Sequence, residues 1–366
     1  MKRFLFKGSF RLLVLGAASL LLPISIQAQD EEDSSSAIPK SLEEGETSSW
    51  FRKPNLGYGP FHTAALGFFP SLRPGIVPRA AVDLPEGTVE LRATESWAKV
   101  IAEKSGSFDL DYEILRTEGS ISYGLAEGMM LEMDFDTGTR VNGILDPLMN
   151  GFHNTFGIPL GPRGRLPNNS FRIQMEPGHG RPDINLDHDS GQTYTRTLIL
   201  TYEHMLTYGD DSMPALGYSV SLGPRLGPFE NLNGGSPVDL SLSLCAAKAW
   251  GDFRFSVAAE GAWYGQEHYL GTTLRPYQWG FLGAAEWYCL TDFSLVFQLL
   301  SMSGVVDMFD RHSSPSFEVA YGFKWEILKD FRVDLSMLHE VENPVNAPDF
   351  GFQLELVLRL GGASRR

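Results

Sequence analysis

The chain has 366 residues, of which 43% are hydrophobic, 12% aromatic and 20% charged, and its formal charge is −15. Two cysteines rule out a disulfide scaffold or a zinc array, the hydrophobic share is too high for a disordered chain, and the acidic balance argues against a nucleic-acid partner. A mean hydropathy of −0.13 argues against α-helical spans but not against a β-barrel, whose strands are only half apolar.

Residues 1–28 read as a secretory signal peptide. Lys2, Arg3, Lys7 and Arg11 form a basic start, Leu12 to Leu22 is an uncharged apolar stretch, and Ile26-Gln27-Ala28 offers a cleavage site. The apolar stretch is too short to span a bilayer of ~30 Å. Removing the segment leaves the mature chain more acidic, because four basic residues go with it. Residues 29–49 are acidic and Ser-rich, with little to bury, and read as a flexible leader. Residues 50–87 are dense in Pro, Gly and aromatics and show no regular period. This segment is expected to fold back onto the body or into it.

From residue 88 the pattern has period two. Phe317, Val319, Tyr321, Phe323, Trp325 and Ile327 share one face, while Glu318, Ala320, Gly322, Lys324 and Glu326 share the other. Phe350–Leu360 repeats this, with Phe350, Phe352, Leu354, Leu356, Leu358 and Leu360 opposite Gly351, Gln353, Glu355, Val357 and Arg359. Successive strand side chains point to opposite faces, so each strand is amphipathic. About twelve such strands are expected, at 88–101, 107–122, 128–138, 193–207, 214–223, 237–249, 252–265, 276–290, 292–302, 315–327, 330–341 and 348–360. The second needs a phase slip near Leu115, which would be a bulge.

These runs are longer than soluble strands of about 5–6 residues and suit a tilted membrane strand of about 9–11. Connections after even strands are short, and most of those after odd strands are longer. The longest covers about residues 139–192. That asymmetry predicts an antiparallel outer-membrane β-barrel with short periplasmic turns, long extracellular loops and both termini in the periplasm. A sheet in lipid must close, because lipid offers no partner to free backbone groups. Tyr123, Trp250, Trp287 and Trp325 fall at the short-turn ends, and Trp263 and Trp279 near the other side, as aromatic girdles would. The terminal aromatic usual in such barrels is missing, so the signal to the outer-membrane assembly machinery is expected in Phe350 and Phe352.

The polar faces carry charges expected to line the lumen: Asp109, Asp111, Glu113, Glu132, Asp134, Arg254, Glu260, Glu286, Glu318, Lys324, Arg332, Asp334, Glu355 and Arg359. They would form either a cation-favouring aqueous path for a small solute or cross-strand pairs in a plugged lumen. A barrel of about twelve strands is narrow, which favours pairing and plugging. Cys245 and Cys289 lie on opposite faces, which argues against a disulfide.

His188-Asp189-Ser190 in the long loop would put a base and a nucleophile on the same side of a strand. This is similar to the His-x-Ser of outer-membrane phospholipase A, over those residues alone. The competing reading is a polar turn. No Walker loop, HExxH, GxSxG or dinucleotide fingerprint occurs, and no cofactor or metal is expected.

The loop string Gly151-Phe152-His153-Asn154-Thr155-Phe156-Gly157-Ile158-Pro159, with Arg163 and Pro167-Asn168-Asn169, is unusual. Together with the alternating strands and Glu342, Pro348, Asp349 and Phe350 near the end, it resembles the DUF3187 family over about residues 55–360. The resemblance implies a β-barrel-like envelope protein of a Gram-negative bacterium and supplies no catalytic residue. Phe152 and Phe156, four apart, would share a helical face and pack on or plug the barrel mouth. The expectation is therefore an outer-membrane barrel over 88–360, with a short tail at 361–366. It would act in passage or surface binding, with a rim lipid hydrolase or a soluble secreted β-protein as rivals.

Overall fold

The structure, a computed structural model, describes residues 55–73, 78–81, 83–157, 167–176, 183–224, 232–307, 310–341 and 346–361. The expected signal peptide, the acidic leader and nearly all of the tail lie outside these residues. The sheet begins with β1 (Thr88–Lys104), β2 (Phe108–Ala126) and β3 (Met129–Val141). Within the long loop come helix α1 (Asp146–Phe156) and two short strands, β4 (Arg172–Met175) and β5 (Ile184–Asn185). Then follow β6 (Thr193–Thr207), β7 (Ala215–Pro224), β8 (Leu232–Trp250), β9 (Phe253–Tyr269) and the two-residue β10 (Thr272–Thr273). The series ends with β11 (Tyr277–Leu290), β12 (Phe293–Met302), β13 (Ser316–Leu328), β14 (Phe331–Glu340) and β15 (Phe350–Gly361).

The strands β1, β2, β3, β6, β7, β8, β9, β11, β12, β13, β14 and β15 pair antiparallel in that order. β15 pairs back onto β1 from Thr88↔Gly361 to Lys99↔Phe350. The described residues therefore form a closed barrel of twelve strands, and β4, β5 and β10 are short additions at one end. Tight turns join β2 to β3, β8 to β9, β11 to β12 and β13 to β14, all at one rim. Gly128 (φ +73°) and Gly251 (φ +57°) take the left-handed backbone that two of these turns require. The opposite rim carries the long loop between β3 and β6.

The barrel is apolar outside and polar inside. Leu240, Leu242, Leu244, Phe255, Val257, Phe281, Phe297 and Leu299 are exposed, whereas Ser241, Ser243, Glu260, Glu286 and Gln298 on the alternate positions are buried. Leaving one large apolar side chain in water forfeits about 1.5–3 kcal/mol of burial, so an exterior built of dozens of them belongs in lipid. Tyr123, Trp250, Trp287 and Trp325 stand exposed at the short-turn rim, Trp279 is exposed towards the other, and Trp263 is half-buried. Phe253 stacks on Trp287 with ring centroids 6.1 Å apart. No described helix is long and apolar enough to cross a membrane.

β2 departs from expectation. It runs beside β1 without a break from Val89↔Tyr123 to Lys104↔Phe108, so there is no slip at Leu115; its one irregularity with β3 is at Gly124/Ala126. The alternation does not shift. What changes is the environment, because in the upper part of β2 the inward positions Phe108, Leu110, Tyr112 and Ile114 are apolar. They face a hydrophobic core inside the barrel mouth.

Candidate functional site

Residues 55–73, 78–81 and 83–85 lie inside the barrel. The stretch starts at the short-turn rim, where the Asn55 side-chain amide donates to the carbonyls of Tyr208 (3.1 Å), Asp210 (3.2 Å) and Met213 (3.2 Å). The Tyr58 hydroxyl donates to Glu326 at 3.0 Å, and the Gly59 amide to Glu286 at 3.2 Å. Lys324 Nζ donates to the Pro60 carbonyl at 3.0 Å. Higher up, His62 Nδ1 lies 2.8 Å from Glu118, Gln298 donates to Thr63 at 2.7 Å, and the Leu66 amide donates to Glu318 at 3.3 Å.

The segment turns over at the far rim. Gly67 passes so close to Asn346 that a Cβ there would sit 2.2 Å from its carbonyl oxygen, which is why a residue without a side chain is needed. Phe68 and Phe69 and the 3-10 turn Pro70–Leu72 are fully buried among Leu110, Tyr112, Tyr269, Val305 and Val306. Arg73 donates to the Arg275 carbonyl at 2.6 Å and stacks over Tyr264 at 4.0 Å. Beyond the turn, residues 78–81 and 83–85 descend. Tyr208 donates to Asp83 at 2.6 Å, and the Thr88 amide donates to the Pro85 carbonyl where β1 begins. Two cavities of about 10 Å³ beside this segment have room for little more than one water each. The lumen is plugged by the chain's own N-terminal segment.

The plug's most charged anchor is Arg79. Its guanidinium reaches Glu132, Asp134 (2.8 Å) and Glu203 (3.2 Å), and its backbone amide donates to Ser243 at 3.1 Å. The wall pairs its own charges as well. Arg359 meets Glu90 at 2.8 Å, Arg332 and Lys324 meet Asp334 at 2.7 and 2.9 Å, and Arg332 lies 3.6 Å from Glu355. Glu286 accepts from Ser294 at 2.7 Å. Arg254 sits half-buried at the rim and donates to the Gly251 carbonyl at 2.7 Å. Glu260 and Glu318 are buried, each has one carboxyl oxygen without a hydrogen-bond partner, and neither forms an ion pair among the described residues.

Three residues expected in the lumen are elsewhere. Lys99 pairs with Glu113 across β1 and β2, and Glu103 with Asp109, so Asp109, Asp111 and Glu113 share the outward face with Lys99. The long loop covers that face. Lys99 Nζ bridges Asp111 (2.6 Å) and Asp146 (2.9 Å), and Glu113 accepts from the Leu145 amide and from Trp97 Nε1, both at 2.7 Å. Asp109 pairs with Arg172 of β4 at 2.6 Å. Their polar face is turned outward because the inward face of this stretch belongs to the aromatic core.

His188 and Ser190 lie in a turn between β5 and β6, without the strand geometry that would aim them together, and the Ser190 hydroxyl donates to Asn142. Phe152, His153 and Phe156 occupy positions of α1, Gly157 ends it with φ +65°, and Pro159 is outside the described residues. Cys245 and Cys289 are free. The inner role of residues 55–73 and 78–81 has one sequence signal, the density of aromatic and apolar residues that have no strand or helix period yet require burial.

The family model described as "Protein of unknown function (DUF3187)" matches residues 49–360. The chain belongs to this family. DUF3187 membership covers the plug and the whole barrel together. No curated protein matches the chain. Among solved structures, it is similar to the NanC porin (12% identity, 74% of this chain and 100% of that one, TM-score 0.42). It is also similar to the translocator domain of the autotransporter NalP from Neisseria meningitidis (9% identity, 76% and 90%, TM-score 0.42). A third is the Pseudomonas putida toluene transporter TodX (12% identity, 82% and 98%, TM-score 0.38).

Proposed function

We propose that this protein is a channel of the Gram-negative outer membrane, held closed by its own N-terminal segment. The short-turn rim faces the periplasm, lipid surrounds the apolar belt, and the outer-membrane assembly machinery inserts the barrel. The observation that carries the reading is the chemistry of the plug's stem. Asn55 is held by the carbonyls of the β6–β7 turn, and from Tyr58 to Leu66 the stem's contacts are hydrogen bonds and an ion pair to wall side chains, all of them groups that water can satisfy equally well when the stem leaves. Buried carboxyls that have no cationic partner among the described residues, such as Glu260 and Glu318, are costly in a wall that is always dry. They suit a wall that becomes wet. The excess of carboxylates favours cations in the open path.

The test is conductance with the plug locked. In a background lacking Cys245 and Cys289, Thr63→Cys and Gln298→Cys join plug to wall when cross-linked. The cross-linked full chain in a planar bilayer should be silent, and the reduced chain should show voltage-dependent openings. Equal conductance in both forms, or none in either, would sink the proposal. A rim hydrolase reading has less to rest on, because Ser190 bonds to Asn142; unchanged phospholipase activity in Ser190→Ala would end it.

A further inference from the structure

Arg79 enters the wall like a ligand. Its fork is surrounded by Glu132 and Asp134 of β3 and Glu203 of β6, all with side chains that are nearly or fully buried. The register extends this group into a trough. Glu203 pairs with Ser219, Ser219 with Ser243, and Ser243 with Glu260, one row across β6, β7, β8 and β9. The row spans three strand spacings, about 14 Å, with carboxylates at both ends and two serines as its floor. Pro78 packs at its far side, against Gly280.

The wall holds more negative charge than Arg79 uses. Among the described residues Asp134 Oδ1 has no hydrogen-bond partner, and neither does Glu260 Oε2, although Glu260 is only 6% exposed and stands at the far end of the row. A small cavity whose lining includes Arg79, Glu203, Met205, Ser219 and Cys245 opens at the Glu203 end of the row. The carboxylates surround a planar fork and do not gather on one point; among the described residues no three acidic, His or Cys side chains are placed to share a metal ion.

We propose that this trough is a solute site of the open channel, selective for small organic cations bearing a guanidinium or primary ammonium group, and that Arg79 is a tethered stand-in that fills it when the channel is closed. The solute function rests on the gate proposed above; the site itself does not. Charge-assisted bonds from a planar fork to several carboxylates give both affinity and discrimination against bulky quaternary cations, which cannot donate. The same competition makes an incoming cation an aid to opening, because it replaces the bonds that the plug loses.

The probe is methylguanidinium, with tetramethylammonium at equal concentration as control. Full-length Arg79→Ala, refolded with methylguanidinium, should gain thermal stability in a saturable manner, while tetramethylammonium and the unaltered chain should show no such gain. Adding Glu203→Gln or Asp134→Asn should weaken that binding by about tenfold each. Absence of a saturable gain overturns the site. In case Arg79→Ala does not fold, the chain that keeps Arg79 provides a second measurement. Its open channel should favour methylguanidinium over tetramethylammonium, and Glu203→Gln should reduce that preference severalfold; an unchanged reversal potential overturns the site. Rescue of Arg79→Ala without any effect of the plug cross-link keeps the site and overturns the gate. Gating without rescue does the reverse.

Discussion

The plug meets the barrel in two chemically different ways. At its apex Phe68, Phe69 and Leu72 join Leu110, Tyr112, Val305 and Val306 in a core like that of a soluble protein. Along its stem and its return, Tyr58, His62, Thr63 and Arg79 are held by carboxylates and amides of the wall. The apex gains from excluding water, and nothing in an open lumen replaces that gain. The stem's bonds exchange with water or solute, each neutral one contributing only about 0.5–1.5 kcal/mol net and each one to a carboxylate about 1.5–3 kcal/mol, which an incoming cation or water can replace. Closure is therefore set at the apex, while recognition and selectivity are set in the stem and wall.

The largest expected effect breaks the apex. Phe68→Ala removes a fully buried ring that sits 4.9 Å from Phe69 and 6.1 Å from Tyr112, at a cost of about 4 kcal/mol. The open probability in bilayers should rise, and amide exchange should quicken from the stem through residue 73. Conduction and protection unchanged from the parent would show that the apex does not hold the plug. Arg79→Met comes next, at about 3 kcal/mol, because it leaves carboxylates facing a thioether in a buried site. Here exchange should quicken at residues 79–81, 83 and 84 while the apex amides stay protected; if both regions loosen together, the two parts of the plug act as one unit. Gly67→Ala is smaller, about 2 kcal/mol, since the new methyl must push the Asn346 backbone aside. It should lower the thermal midpoint of plug release and leave the barrel's own unfolding unchanged.

The barrel was legible in the sequence because every membrane strand must place apolar residues on lipid and polar ones on the lumen, and that requirement writes period two into segments such as Phe317–Ile327. Three matters were not legible, and each has a cause. Residues 55–73 and 78–81 show no period because an irregular segment inside a barrel is contacted from all sides, so no single face is selected. Asp109, Asp111 and Glu113 looked like lumen charges because alternation tells which residues share a face but not which face is inward. In the upper part of β2 the answer depends on Phe68 and Phe69, about forty residues earlier in the chain. The Arg79 site needed β3, β6, β8 and β9 brought together by register, and no local motif encodes that.

The stem begins at the short-turn rim, where its hold is smallest. Asn55 is tied to the carbonyls of Tyr208, Asp210 and Met213, so the shape of the β6–β7 turn decides where the plug enters. That turn is closed by Asp210, whose carboxylate accepts from the Ser212 hydroxyl (2.7 Å) and from the Ser212 (2.7 Å) and Met213 (2.9 Å) amides. These donors, the Ser212 hydroxyl first, hold its pKa down at about 2. A depressed carboxylate contributes stability that is present above its unfolded value, about 3.9, and is lost as pH falls through the folded one. Between pH 7 and 5 the anchor should therefore be constant, and it should weaken only in strong acid, below about pH 4. Asp210→Asn should lower amide protection at 55–58, measured against the intrinsic exchange rate at each pH, to the same level at pH 7 as in the acidified parent, with the apex unaffected. If the apex amides quicken too, the entrance and the tip of the plug are coupled, and the separation drawn above between holding and recognising fails at its weakest joint.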